Sequence, residues 1–228
     1  MPSDCISYSE TNYYSALILD YLNKKEELKP FYNRFPSLEE FRSQLEEKQE
    51  SFSPAIRKDL VSVLQSQYSG LEVSEVTRKN IELLSGDSTF TVTTGHQLNL
   101  FTGPLYFLYK IVSAVNLARE LKTAYPNHDF VPVYWMATED HDFEEINFFN
   151  LHGKKFKWNS DQPEAGKDAV GNLKTEGLED VFDLFSAEVG GSKNAEYLKE
   201  LFQKSYLGHD SLTEATRYLA NELFKKYG

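Results

Sequence analysis

Between Phe90 and Ala137 the spacing of apolar positions changes twice, and these changes outline the centre of the chain. Phe90 to Thr94 is short, apolar and β-branched, as a buried strand should be. From Gly103 to Leu121 the residues Leu105, Leu108, Ile111/Val112, Val115, Ala118 and Leu121 recur at the spacing of one helical face. Phe130 to Ala137 is again a continuous apolar run, the pattern of a strand covered on both sides. Strand, helix and strand in this order predict a right-handed βαβ unit, with both strands delivering their carboxyl ends to one edge. Open α/β sheets bind ligands at that edge. Gly95-His96-Gln97 and Glu139-Asp140-His141-Asp142 both fall there.

The flanks read differently. Residues 10–29 have Tyr14, Leu17, Ile18, Tyr21 and Leu22 on one face and Pro30 after the last turn, which predicts a helix. Ser37-Leu38-Glu39-Glu40 has the form of a capping box and predicts a second helix to about Gln49. Ser53-Pro54 opens a third with Ile56, Leu60, Val63 and Leu64 inward, and a fourth runs from about Ser74 to Leu84. After Asn147 three short segments, Phe148–Leu151, Lys155–Trp158 and Ala169–Leu173, predict a small antiparallel excursion. They are split by His152-Gly153 and by the polar stretch Asn159–Asp168. Helices follow at about Leu178–Phe185, Asn194–Lys204 and Ser211–Tyr227. The expected organisation is a helical layer over 1–88 packed on the core, an α/β core over 89–150 and a connecting insertion over 151–228. The chain stops at Phe-Lys-Lys-Tyr-Gly, where the alternation calls for another strand, so the expectation is the front part of a longer protein.

Composition narrows the function. A net charge of −11 argues against a general nucleic-acid surface, which needs clustered Lys and Arg. The single cysteine, Cys5, leaves no intrachain disulfide framework and no thiolate zinc site. No run reaches the roughly 18 apolar residues of a membrane span, and the N-terminus lacks the basic start and apolar core of a signal peptide. A cytoplasmic protein is expected, with no nucleic acid and no membrane as partner.

Two clusters hold the candidate chemistry. Gly95, His96 and Gln97 lead toward a helix opening at Thr102-Gly103-Pro104, with Thr102 as the candidate N-cap and Pro104 suited to the first turn. Exposed N–H groups at such an opening attract anions, although neither a P-loop nor a Gly-x-Gly-x-x-Gly pattern is present. His96 is read either as a donor to an anion or as a histidine bonded within a turn. Tyr106 and Lys110 lie one helical turn apart, lining the site or, for Lys110, facing solvent. The second cluster, from Trp135 to Asn147, has five carboxylates within the seven residues 139–145, an arrangement that needs cations, water or hydrogen bonds. One reading is metal ligation by His141 with Asp140, Asp142 or Glu145, but adjacent side chains point apart. Another is a carboxylate base toward an amine. A third is a helix N-terminus whose acids complement the dipole, Glu144 above all. Catalytic candidates are Glu139, Asp140, His141 and Asp142; binding candidates are Gly95, His96, Gln97, Thr102, Gly103, Tyr106 and Trp135, with no dedicated metal site. His128, His152, His209 and Cys5 read as bland.

These residues carry a resemblance. Thr94 to Ile111, T-G-H-Q-x-x-L-F-T-G-P-L-Y-x-x-Y-K-I, and Val131 to Asn147, V-P-V-Y-W-M-A-T-E-D-H-D-F-E-E-I-N, resemble the bacillithiol biosynthesis cysteine-adding enzymes, a family of cysteine ligases. Leu19-Asp20-Tyr21-Leu22 and Phe31-Tyr32 look similar too. The resemblance implies a Rossmann-like core similar to class I synthetases and nucleotidyltransferases, and a coiled-coil homodimer in the full-length parent. It implies the joining of cysteine to glucosaminyl-malate through an amide, with ATP or another nucleotide as the open cofactor question. In the related synthetases a His-containing turn after the first strand binds nucleotide phosphates, and Gly95-His96-Gln97 with Thr102-Gly103-Pro104 occupy that position here. The family commonly carries Gln where this chain has His96, which speaks against proton transfer there. Two other readings stand beside this one: a nucleotidyltransferase-like enzyme that activates another carboxylate, and a shortened domain that binds without catalysing.

Overall fold

A computed structural model describes residues 4–160 and 168–228. The chain divides into two compact units, Met1–Phe52 and Ser53–Gly228. In the first, the helix expected over residues 10–29 is broken into a 3₁₀ turn Tyr8–Thr11, helix α1 (Ala16–Leu22) and a second 3₁₀ segment Glu26–Phe31 that contains Pro30. Left-handed backbone at Asn12 and Lys24 (φ 53° and 55°) interrupts any continuous helix, and Ser15 caps α1 by accepting from the Ile18 N–H. Helix α2 spans Glu40–Ser51 without the expected capping box. The Ser37 carbonyl, not its hydroxyl, accepts the Glu40 N–H. Tyr21 meets Tyr32 edge-on and packs on Phe35, and Arg34 pairs with Glu47.

The second unit opens with α3 (Pro54–Gln67) and α4 (Glu75–Leu83), each capped by the serine before it. Arg57 of α3 is buried and donates to the carbonyls of Leu84, Asp87 and Thr89. A charge taken from water needs such partners, and here they fix the entry to the sheet. Strand β1 (Thr89–His96), helix α5 (Tyr106–Ala124) and parallel strand β2 (Asp129–Met136) follow, as the hydrophobic pattern predicts. The register runs from Thr89 opposite Asp129 to His96 opposite Met136, so both strands end level. Two details differ. Helix α5 starts later than Gly103, and its buried face is Phe107, Ile111, Ala114, Val115, Ala118 and Leu121, leaving Leu105 and Val112 exposed. The strands are less covered than continuous apolar runs suggest: Thr91, Thr93 and Trp135 are exposed, because among the described residues this sheet has two strands.

Beyond β2 come the short α6 (Phe143–Ile146) and the antiparallel hairpin β3 (Phe148–Leu151) and β4 (Lys154–Lys157). His152 and Gly153, at φ 50° and 77°, make its turn as expected. Of the polar stretch Asn159–Asp168, residues 161–167 lie outside the described residues. The third expected strand, Ala169–Leu173, is instead a 3₁₀ turn over Val170–Asn172, since its N–H groups bond to the loop after β2. Helices α7 (Leu178–Val189), α8 (Lys193–Phe202) and α9 (Leu212–Phe224) complete the unit, with a π-helical turn Gln203–Leu207 after α8. Ser211 caps α9. A core of Phe149, Trp158, Phe185, Phe202, Tyr206 and Leu212 joins the hairpin to these helices. Among the described residues no helix is long and apolar enough to cross a membrane.

Candidate functional site

The turn after β1 carries the first cluster. His96 is buried, with its Nδ1 3.2 Å from the Gln97 carbonyl and its ring 4.9 Å from Tyr106 and 5.3 Å from Phe107. Its Nε2 is buried and has no partner of hydrogen-bond geometry among the described residues. Burial pushes the imidazole pKa below its ordinary value and the nearby Lys110 adds to this, while the Gln97 carbonyl and Asn99 act the other way. A neutral ring results, holding a polar atom that lacks a partner. Gly95, His96, Gln97, Tyr106, Lys110 and Ala137 line an open cavity of about 290 Å³. Lys110 Nζ donates to the Gly95 carbonyl at 3.1 Å and stands 5.3 Å from the Tyr106 ring centre. Lys110 is exposed, so it faces solvent while edging the open cavity.

The chain then makes a strained turn. Phe101, Thr102 and Gly103 have φ of 44°, 69° and 51°, conformations that cost about 1–3 kcal/mol at each non-glycine residue. At Gly103 a Cβ would stand 2.5 Å from the Asn99 Cβ, so a side chain does not fit. Thr102 is therefore not the N-cap: the helix begins at Tyr106, Leu105 holds the cap position, and no side chain caps it. Phe101 N–H donates to Tyr206 Oη at 2.8 Å and Gly103 N–H to the Leu100 carbonyl at 2.8 Å, so both amides are engaged within the protein. Thr102 and Gly103 shape the approach to α5 but do not line the cavity.

The turn after β2 carries the acids. Ala137 N–H donates to the His96 carbonyl at 3.1 Å, extending the ladder past β2. Gln97 Nε2 donates to Asp140 Oδ2 at 2.5 Å and to Glu145 Oε2 at 3.1 Å, binding the two clusters together. The other Asp140 oxygen accepts from the His141 and Asp142 N–H groups at 2.7 and 3.2 Å. The Gln97 amide chiefly, helped by those backbone donors, holds the Asp140 carboxyl below the ordinary range against the effect of burial. Asp142 caps α6 through the Glu145 N–H. Glu144 pairs with Lys157 at 2.9 Å, and that partner lowers its pKa. Glu139 accepts from Trp135 Nε1 at 3.4 Å, while His141 is exposed. Among the described residues no three His, Cys, Asp or Glu side chains converge on a metal-binding position.

One part of the site has no signature in the linear pattern. Val170 N–H donates to the Asp140 carbonyl at 2.6 Å and Gly171 N–H to the Thr138 carbonyl at 3.1 Å. Thr213 Oγ1 donates to the Gly171 carbonyl at 2.8 Å. A Cβ on Gly171 would meet Thr213 Oγ1 at 2.5 Å, Thr138 Cβ at 2.8 Å and the Thr138 carbonyl at 2.9 Å. Glycine lets this segment close on the acidic turn.

A parallel βαβ unit with a buried histidine turn after one strand and an acid-rich turn after the other defines a Rossmann-like domain with its candidate site at the carboxyl edge of its sheet. The chain belongs to the bacillithiol biosynthesis BshC family, matching its N-terminal Rossmann-like domain over residues 1–228. It is 65% identical over 228 residues to "Putative cysteine ligase BshC" of Christiangramia forsetii, covering 100% of this chain and 42% of that one. Identity is 61% over 229 residues to the protein of the same name from Flavobacterium psychrophilum, covering 100% of this chain and 42% of the relative. It is 34% over 143 residues to the one from Bacillus cereus strain AH820, covering 62% and 26%. The chain thus spans about 42% of the length of the first two relatives. The family read from Thr94–Ile111 and Val131–Asn147 is the one found.

Proposed function

We propose that this chain is the site-bearing N-terminal part of a carbon–nitrogen ligase that joins cysteine to glucosaminyl-malate in bacillithiol biosynthesis. The names of the relatives support the reaction class. The observation that carries the reading is the Gln97 side chain, which bridges a cavity edged by Lys110 to Asp140 and Glu145. A cationic wall beside an acidic mouth suits two reactants of opposite local charge. In the proposed step the amine nitrogen of glucosaminyl-malate attacks the activated cysteine carboxyl carbon. A C–N bond forms, the leaving group departs with the negative charge, and the amine proton passes to a base on the acidic turn.

In this reading the residues of the acidic turn have different roles. Asp140, kept ionised by Gln97, is a weak base and suits holding and orienting the amine. Glu139 and His141, exposed on the same turn, are the candidates to take the proton. Asp142 supports the turn as a cap. The cavity of Gly95, His96, Gln97, Tyr106 and Lys110 takes a carboxylate or phosphate, with the His96 Nε2 as a further polar contact. Trp135, joined to Glu139, would flank the amine-bearing substrate. A core like that of class I synthetases and nucleotidyltransferases is part of this reading, as are a cytoplasmic setting and a homodimer for the full-length polypeptide.

The test is mass-spectrometric detection of ligation by the full-length polypeptide given cysteine and glucosaminyl-malate, with and without ATP and magnesium. Bacillithiol is expected from the wild type. Asp140→Asn should lower the rate by about a hundredfold or more with little change in thermal midpoint. Full activity in that variant removes Asp140 from the site. No product, together with ATP–pyrophosphate exchange that does not require cysteine, replaces the proposal with activation of another carboxylate.

A further inference from the structure

Tyr206 is fully buried, and its ring packs on Phe202 with centroids 5.0 Å apart. A phenylalanine would fill that space equally well, so the hydroxyl calls for an explanation: buried polar groups are held by partners. The hydroxyl accepts from the Phe101 N–H at 2.8 Å, at a separation of 105 residues in sequence, and the Thr216 side chain stands beside it. Tyr206 sits in the π-helical turn Gln203–Leu207, a local widening frequently found at functional sites. Phe101 is the first of three successive residues with positive φ between β1 and α5. The other backbone hydrogen bond in this turn, Gly103 N–H to the Leu100 carbonyl, is local and follows the turn wherever it moves, while the Phe101 ring packs on Phe149, Phe185 and Phe202.

We infer that Tyr206 is a positioning residue for the cavity, its hydroxyl anchoring the left-handed turn that fixes where His96 and Tyr106 stand. The coupling runs through atoms in contact. Gly103 lies against the Asn99 side chain, with room for no Cβ between them. Asn99 Nδ2 in turn reaches the Glu145 carbonyl at 3.4 Å. On the far side of the turn, Tyr106 begins α5 and its ring lies 4.9 Å from His96. Releasing Phe101 lets the turn relax toward ordinary backbone angles, which displaces Asn99 at one end and Tyr106 at the other. His96, packed between them and the core, loses its dry setting. The inference rests on the proposed reading of the cavity as the ligand site.

The test uses Tyr206→Phe, which keeps the ring and removes the hydroxyl, and with it the Phe101 anchor and the interaction with the Thr216 side chain. Ser205→Ala is the control: it lies in the same π turn, is equally buried, and loses a hydrogen bond to the Leu201 carbonyl instead. Two measurements need no turnover, namely the NMR titration of the His96 ring and hydrogen exchange at the Phe101 amide. In Tyr206→Phe the His96 midpoint is expected to rise toward that of an ordinary histidine and Phe101 exchange to quicken at least tenfold. In Ser205→Ala both should stay at wild-type values. In ligation assays Tyr206→Phe should lower kcat/KM about tenfold, mainly through KM. An unchanged His96 midpoint in Tyr206→Phe overturns the inference, and so do equal shifts in both variants. If Tyr206→Phe does not fold, unprotected exchange at Phe101 in the wild type overturns it and strong protection supports it. A wild type without ligation would defeat the functional reading alone, leaving the two NMR measurements to decide the role of Tyr206.

Discussion

The turn after β1 is held by left-handed backbone, by aromatic packing and by a side-chain hydroxyl from the core, whereas the turn after β2 is held through its main-chain carbonyls by the N–H groups of Val170 and Gly171. Phe101, Thr102 and Gly103 take left-handed angles, and Phe101 is packed against Phe149, Phe185 and Phe202. The acidic turn has little such packing: Glu139, His141 and Asp142 are exposed. Val170 and Gly171 hold it through the carbonyls of Asp140 and Thr138. The difference follows from charge. A carboxylate cannot be immobilised by burial without a large desolvation cost, so the turn is held by its main chain and its side chains stay in water. The first turn carries a neutral histidine and can be anchored from within the core.

Three substitutions break or sharpen this contrast. Gly103→Ala strikes the backbone-held turn, adding positive-φ strain to a clash with Asn99. It should cost about 3 kcal/mol, lowering the thermal midpoint by roughly 6–12 °C. Gly171→Ala strikes the clamp, where the nearest obstacles include the Thr138 carbonyl. Its stability cost should be smaller, about 2 kcal/mol, but its loss of ligation relative to that cost should be greater, roughly tenfold or more, because the main chain bearing Asp140 moves. Equal ratios of activity loss to stability loss in the two variants would erase the distinction. The smallest effect on stability is expected from His96→Gln and is read from its pH dependence. The folded-state pKa of His96 is depressed, so its contribution to stability is present above about 6.5 and is lost as pH falls from there toward the lower folded value. Urea midpoints of the wild type should therefore decline more than those of His96→Gln between about pH 7.5 and 5.5. A constant difference would mean that His96 is not desolvated.

The central unit was legible because it rests on local pattern. β-branched residues before Gly95, a helical apolar spacing and a second apolar run were enough to place both clusters at one edge of the sheet. The pairing of Gln97 with Asp140 was not, since two adjacent loops do not reveal which side chains meet. Leu-Phe-Thr carries no turn signature, and the left-handed angles at Phe101 and Thr102 appear only once Phe101 is packed among distant aromatics. Val-Gly-Asn read as strand because β-propensity describes a half-buried surface, while the bonds that decide its shape come from Thr138 and Asp140. The capping box at Ser37 failed for a related reason: the pattern was present, but the chain enters α2 through a backbone turn.

That the two turns form one site is tested most directly by a double-mutant cycle on kcat/KM for ligation with Gln97→Ala, Asp140→Ala and the pair. If the Gln97 amide acts through Asp140, the double variant loses little more than the worse single one, with a coupling of about 1–3 kcal/mol. If the two losses simply multiply, the turns act independently and the single-site account is wrong.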